Sequence, residues 1–220
     1  MEYKLITAEY YEQVIEHLRK NFFADEPLNR AAGLCQRGDG NHELEHHSLS
    51  TLADQLSIMA IDTQQDKQIA GVILNGVLHP GDTEQALQQL QQSSDENYKT
   101  IMQLLYTHSL KANLFERYQV RRIFDVRILS VDARYRGQGI AKELVRQSEQ
   151  LARQCEYCLL RADATGIFSQ KILRSQGFET CSEQLYAKYT NAEGKILLPV
   201  EAPHIKLQLL TKVLSYESKQ

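Results

Sequence analysis

The run Ile128-Leu129-Ser130-Val131-Asp132-Ala133-Arg134-Tyr135-Arg136-Gly137-Gln138-Gly139-Ile140-Ala141 carries an apolar strand into an amphipathic helix through a basic turn with two glycines. Ile140, Ala141, Leu144, Val145, Ser148, Leu151 and Ala152 recur at helical spacing and mark one buried face. Such a turn directs several free backbone N–H groups, at the positive end of a helix dipole, toward one point. It is an anion cradle. Glycine is required because a Cβ would block a phosphate and penalise positive φ, and Arg134 and Arg136 add charge. Two nucleotide motifs fail on these residues. Lys142 stands where the third glycine of G-x-G-x-x-G belongs, and no Gly-Lys-Ser/Thr ending completes a P-loop.

Outward from the turn, residues 122–131 read as a strand, 137–154 as a helix, 157–162 as a strand, and 165–176 as a helix ended by Gly177. Residues 178–189 and 206–214 read as two late strands. Toward the N-terminus, residues 2–6 form a strand and Thr7 caps a helix in which Tyr11, Val14, Ile15, Leu18 and Phe22 recur. Asp25-Glu26-Pro27 stops that helix. A loop with Arg37-Gly38-Asp39-Gly40 leads to helix up to about residue 55. Residues 57–61 and 68–79 pair as a hairpin across the polar turn 62–67. Residues 83–117 are helical and Gln-rich, broken at Ser93-Ser94-Asp95. Strands paired locally and then joined through helices give a mixed α/β chain. The expectation is one domain over 1–220, with helices inserted around 27–55 and 83–117.

The 220 residues carry a formal charge of −3, and a pI near 6.2 supplies no general field for a nucleic acid. No run approaches the ~20 apolar residues of a membrane span, and the start Met-Glu-Tyr-Lys-Leu lacks the pattern of a secretory signal, so a cytoplasmic protein is expected. Four cysteines, at 35, 155, 158 and 181, are too scattered for a disulfide framework. His42-Glu43-Leu44-Glu45-His46 matches H-E-x-x-H, but it lies at a fraying helix start without a third ligand and reads as a solvated face, so no metal is expected.

The R-x-x-G-x-G of Arg134 to Gly139, after a strand, resembles the pyrophosphate-binding signature of the GNAT superfamily of N-acetyltransferases, which use acetyl-coenzyme A. Phe23-Ala24-Asp25-Glu26-Pro27-Leu28-Asn29, Asp163-Ala164-Thr165-Gly166-Ile167-Phe168-Ser169 and Pro203-His204 extend the likeness over essentially the whole chain, to the insect arylalkylamine N-acetyltransferases. The resemblance implies an α/β (α+β) fold, a twisted, mostly antiparallel sheet of about seven strands flanked by helices and splayed at the cofactor site. It implies acetyl-CoA as cosubstrate, held by Leu129, Ser130, Val131, Arg134, Tyr135, Arg136, Gly137, Gln138, Gly139, Ile140 and Ala141. The pantetheine arm would lie along the strand, and a bulge would free the Leu129 N–H for the oxyanion.

The same likeness assigns Glu26 as the base that deprotonates a primary ammonium, directly or through a water, and Ser169 as a donor to the leaving thiolate. Thr165 stands where several relatives carry serine, and His204 is a candidate for orienting substrate or Glu26. The implied substrate is an arylalkylamine of the dopamine, serotonin, tyramine or tryptamine type. Polyamines or agmatine would instead call for extra acidic residues along the pocket, and a coenzyme A-binding module without turnover is the remote alternative. The chain is expected to work as a monomer.

Overall fold

The computed structural model describes residues 1–65 and 68–215; the last two residues of the expected 62–67 turn lie outside them. Among the described residues seven strands form one sheet: β1 (Glu2–Leu5), β2 (Ile58–Asp62), β3 (Gln68–Leu78), β4 (Ile123–Val131), β5 (Leu159–Ala164), β6 (Glu179–Leu185) and β7 (Lys206–Val213), in the order β1-β2-β3-β4-β5-β7-β6. Every neighbouring pair is antiparallel except β4 with β5. That parallel pair needs a crossover, which helix α7 (Ile140–Gln154) provides. The mixed, mostly antiparallel architecture agrees with the expectation.

The period-two alternation of β2 divides its side chains between two cores. Ile58 and Ala60 pack with Leu144 and Val145 of α7 and Leu173 of α8 (Ile167–Ser175). Met59 and Ile61 meet Val14 and Leu18 of α1 (Tyr11–Asn21) and Leu52 of α3 (His42–Leu52). With both faces covered, the central strands read as unbroken apolar runs. A third cluster joins Leu28 of α2 (Pro27–Ala32) and Leu90 of α4 (Asp82–Leu90) to Tyr98, Ile101 and Met102 of α5 (Glu96–Ala112). Against β3, α7 comes in very close: a Cβ on Gly71 would lie 3.0 Å from the Ser130 carbonyl oxygen and 3.2 Å from Ile140 Cγ2.

Several local expectations change. The helix expected from residue 137 starts at Ile140, because Gly137 and Gly139 sit at φ +80° and +82°, outside helical space. Thr7 makes no backbone cap; its hydroxyl donates to Glu9, and a 3-10 turn precedes α1. Glu26-Pro27 does not end a helix but begins α2, with proline at the first helical position, where its missing N–H has no cost. The break at 93–95 is present, and Asp95 caps α5 by accepting from the N–H groups of Asn97 and Tyr98. A second break falls at Asn113, left-handed at φ +44°, before α6 (Leu114–Tyr118). The strand expected to reach 189 ends at Leu185 in a 3-10 turn. Among the described residues no helix is long and apolar enough to cross a membrane.

Candidate active site

The two central strands separate where the site begins. β4 pairs with β5 at Phe124–Leu160, Asp125–Arg161 and Val126–Ala162, and beyond Val126 it keeps only β3. On the β3 side Leu74 opposes Ile128 while Asn75 opposes Val126, so Arg127 is the extra residue of a bulge. Past the bulge the Asp132 N–H donates to the Ala70 carbonyl at 2.9 Å. Alternation back along the strand turns the Ile128 and Ser130 N–H groups toward β3 and those of Leu129 and Val131 into the splay. Backbone donors therefore line its β4 edge.

At the end of that edge stands the glycine turn. Neither Gly137 nor Gly139 would meet anything within 4 Å of an added Cβ, so glycine serves the left-handed backbone and leaves the approach open. Gly139 precedes α7 with no side-chain cap, and the first N–H groups of the helix are left for a ligand. The cradle fits a pyrophosphate chiefly through its backbone. Arg134 is already neutralised, since its guanidinium reaches Asp132 at 3.0 and 2.7 Å and holds that carboxyl below its ordinary range. Arg136 is freer, at 3.5 Å from Asp25, which Arg37 also binds at 2.7 Å. The Tyr135 hydroxyl donates to Asp62 at 2.9 Å. Ser130 and Ile140 turn their side chains inward: the Ser130 hydroxyl lies 3.0 Å from His17 Nε2, and Ile140 belongs to the core. Only their backbones face the groove.

A cavity of about 590 Å³ lies between α2, α3, α4 and α5 and the β4–β5 floor, with Phe22, Leu28, Leu90, Tyr98, Met102 and Tyr106 among its walls. Glu26 and Thr165 both line it. Glu26 is the N-cap of α2: its Oε2 accepts the Asn29 N–H at 2.7 Å, while Oε1 is buried without a hydrogen-bond partner among the described residues. Burial raises the Glu26 pKa, against the Thr165 hydroxyl and the N–H groups of Asn29 and Leu28, which favour the ionised form. A carboxylate so placed, with Thr165 beside it, has the chemistry to accept a proton.

The floor holds charges that are paired among themselves. Arg161 Nε lies 2.9 Å from Asp125, and its two terminal nitrogens donate to Ser109 and Asp163. Arg127 donates to Asp125 at 3.0 Å and to Thr51 at 3.1 Å. Burial pushes the Asp125 carboxyl up, but Arg161 and Arg127 together hold it below its ordinary range. Burial pushes Asp163 up to about 6, with Arg161 opposing. His47, also in the cavity wall, is pushed down to about 4 by burial and by Arg127, and is neutral. Arg161→Met is expected to cost about 3–5 kcal/mol of stability, because two buried carboxylates lose a shared counter-charge; chemical denaturation measures it.

Ser169 and His204 lie outside the cavity lining. The Ser169 hydroxyl donates to the Gly166 carbonyl at 2.9 Å within the first turn of α8. His204 Nδ1 accepts the Ile167 N–H at 3.1 Å, and its ring packs edge-on against Phe168 at 5.7 Å. A Cβ on Gly166 would lie 3.2 Å from both His204 Nδ1 and Pro27 Cγ. The structure thus gathers Glu26, Thr165 and His204 around the start of α8, with Ser169 one turn along. Sequence reasoning passed over Asp125, Arg127, Arg161, Asp163 and His47. The signal for the four strand residues was present as charges at alternate positions in apolar strands, in Phe124-Asp125-Val126-Arg127 and Leu160-Arg161-Ala162-Asp163; His47, on α3, carried no such mark. His42 and His46 stack at 6.3 Å on α3, His46 at the cavity lining, and no group of three metal-ligating side chains occurs among the described residues.

A model of the acetyltransferase (GNAT) domain matches residues 83–192. The crystal structure of arylalkylamine N-acetyltransferase 2 from the mosquito Aedes aegypti is 47% identical, with a TM-score of 0.94 over 97% of this chain and 99% of that one. A second mosquito structure, arylalkylamine N-acetyltransferase like 5b, is 23% identical with a TM-score of 0.87 over 97% and 99% of the two chains. The polyamine N-acetyltransferase of Drosophila melanogaster is 19% identical with a TM-score of 0.86, again over 97% and 99%. The last two show a shared fold.

Proposed function

Because the chain belongs to the GNAT acetyltransferase family, we propose that it moves the acetyl group of acetyl-CoA onto the primary amine of an arylalkylamine of the dopamine, serotonin, tyramine or tryptamine type. One observation carries the choice of amine. Glu26 lines the cavity, Phe22, Leu28, Leu90, Tyr98, Met102 and Tyr106 give it apolar and aromatic walls, the floor carboxylates Asp125 and Asp163 are matched by Arg127 and Arg161, and the two other lining carboxylates already accept hydrogen bonds, Glu43 from Ser93 and Asp82 from the His79 N–H. A polyamine or agmatine needs uncompensated acidic groups at the far end of its chain; an aromatic ring needs apolar walls. The likeness to a mosquito enzyme named for arylalkylamines points the same way.

An ammonium ion has no lone pair for attack, so Glu26 takes a proton from it, directly or through a water. Acetyl-CoA supplies the activated thioester. The turn from Gly137 to Ala141 offers its N–H groups to the pyrophosphate, and Arg136 can leave Asp25 to join them. The Leu129 N–H, aimed into the splay, donates to the carbonyl oxygen as negative charge develops there. Thr165 supplies a hydroxyl beside the departing sulfur, and Ser169 can join it once its hydroxyl leaves the Gly166 carbonyl. His204 acts as a positioning residue, fixing the start of α8 through the Ile167 N–H. Acetyl transfer by the purified protein to a panel of amines tests the reading. Arylalkylamines are expected to exceed agmatine and spermidine in kcat/KM by roughly tenfold or more, as differential pocket burial allows; the reverse order would reject it.

A further inference from the structure

Along β5, Arg161, Asp163 and, just past the strand, Thr165 alternate onto one face and all line the cavity. Two residues of strand span about 7 Å. Asp163 therefore lies one such step beyond Thr165 along the floor, away from the Glu26 end. An arylethylamine with its nitrogen at Glu26 covers that distance with its two-carbon arm and ring.

The carboxylate of Asp163 is held from one side only. Its Oδ2 accepts from Arg161, whose other nitrogens are fixed by Asp125 and Ser109. Its Oδ1 is buried and has no hydrogen-bond partner among the described residues. Arg161 already answers its charge, so what Asp163 presents to the cavity is an oriented acceptor and not a second anchor for an ammonium.

On the reading that the substrate is an arylalkylamine, we propose that Asp163 Oδ1 accepts a hydrogen bond from a ring hydroxyl of the amine, which makes Asp163 the residue that selects hydroxylated arylalkylamines over unhydroxylated ones. The discrimination arises from the asymmetry of buried polar groups. A hydroxylated ring satisfies Oδ1, whereas a bare ring of nearly the same shape covers it and leaves it without a donor. With burial placing the Asp163 pKa at about 6, the group is an acceptor above neutrality.

The test compares kcat/KM for tyramine, phenethylamine and para-fluorophenethylamine in the wild-type protein, Asp163→Asn and Asp163→Ser. The wild type is expected to favour tyramine over both analogues by about tenfold to a hundredfold, the range for a hydrogen bond to a charged group. In Asp163→Ser, whose short side chain no longer reaches the ring, the tyramine-to-phenethylamine ratio is expected to fall toward one, and in Asp163→Asn, which keeps an uncharged amide oxygen, to fall part of the way. A wild-type ratio near one overturns the inference, as does a ratio that survives both substitutions. An equal fall for all three amines also overturns it, since the residue would then act on the shared amine arm. The para-fluoro comparison in the wild type stands even if neither variant folds, because fluorine fills the site without donating. Acetylation of agmatine but of no aromatic amine would instead remove the substrate reading itself.

Discussion

Glu26→Gln is expected to lower kcat/KM for the preferred amine by about a hundredfold to ten-thousandfold near neutral pH, the range for loss of a general base. Gln keeps an oxygen for the Asn29 N–H and so keeps the α2 cap, but it cannot take a proton. In the wild type, kcat/KM should fall as pH drops through the raised Glu26 pKa, because the protonated carboxyl has no proton-accepting capacity; that acid limb should vanish in the variant. Stability moves the other way. Burial lifts the folded-state pKa of Glu26 above its unfolded value. The folded form then holds more protons between the two values, and stability, full below the unfolded pKa, declines as pH rises through the folded one. The variant escapes this loss, so its melting temperature above neutrality should not fall below that of the wild type. Full kcat/KM in Glu26→Gln at every pH would show that the base lies elsewhere.

Gly139→Glu should raise the dissociation constant for coenzyme A by at least about a hundredfold, read by calorimetry. Two effects combine. An L-residue at φ +82° costs about 1–2 kcal/mol, and a carboxylate at the mouth of the cradle repels the pyrophosphate that the helix N-terminus attracts. The fold should persist, since nothing lies within 4 Å of the new Cβ. Gly139→Ala separates the contributions, carrying the strain without the charge and producing the smaller loss. Unchanged affinity in the glutamate variant would remove the cradle from the account.

The glycine turn was legible because its chemistry is local: two glycines, a strand before and an apolar helical stripe after specify the backbone without any partner. Glu26 and Thr165 were placed through family likeness, and their meeting depends on the α2 cap, which the sequence suggests only once Pro27 is read as a helix start. The pairing of the floor charges was not legible. Asp125 and Arg161 are 36 positions apart in number, and what brings them opposite one another is the parallel register of β4 on β5, set by the packing of α7. The loss of Arg134 to Asp132 is different, since an i, i+2 pair could have been anticipated at a strand end. Asn113 is of a residue type prone to the left-handed region, but the helical spacing of Leu110 and Leu114 carries the apolar pattern straight across it.

Gly71 gives the molecule a lever arm. It sits in β3, outside the cavity lining, yet the clearance between that strand and Ile140 Cγ2 is set by its missing side chain. One methyl group there would meet the Ser130 carbonyl oxygen at 3.0 Å and the Ile140 and Val131 side chains at 3.2 Å, so β4 or the start of α7, which flank the anion turn, must give by a few tenths of an ångström. Gly71→Ala is therefore expected to weaken coenzyme A binding from a position with no view of the proposed cradle, and a map of impaired variants would then draw the phosphate site wider than its contact surface.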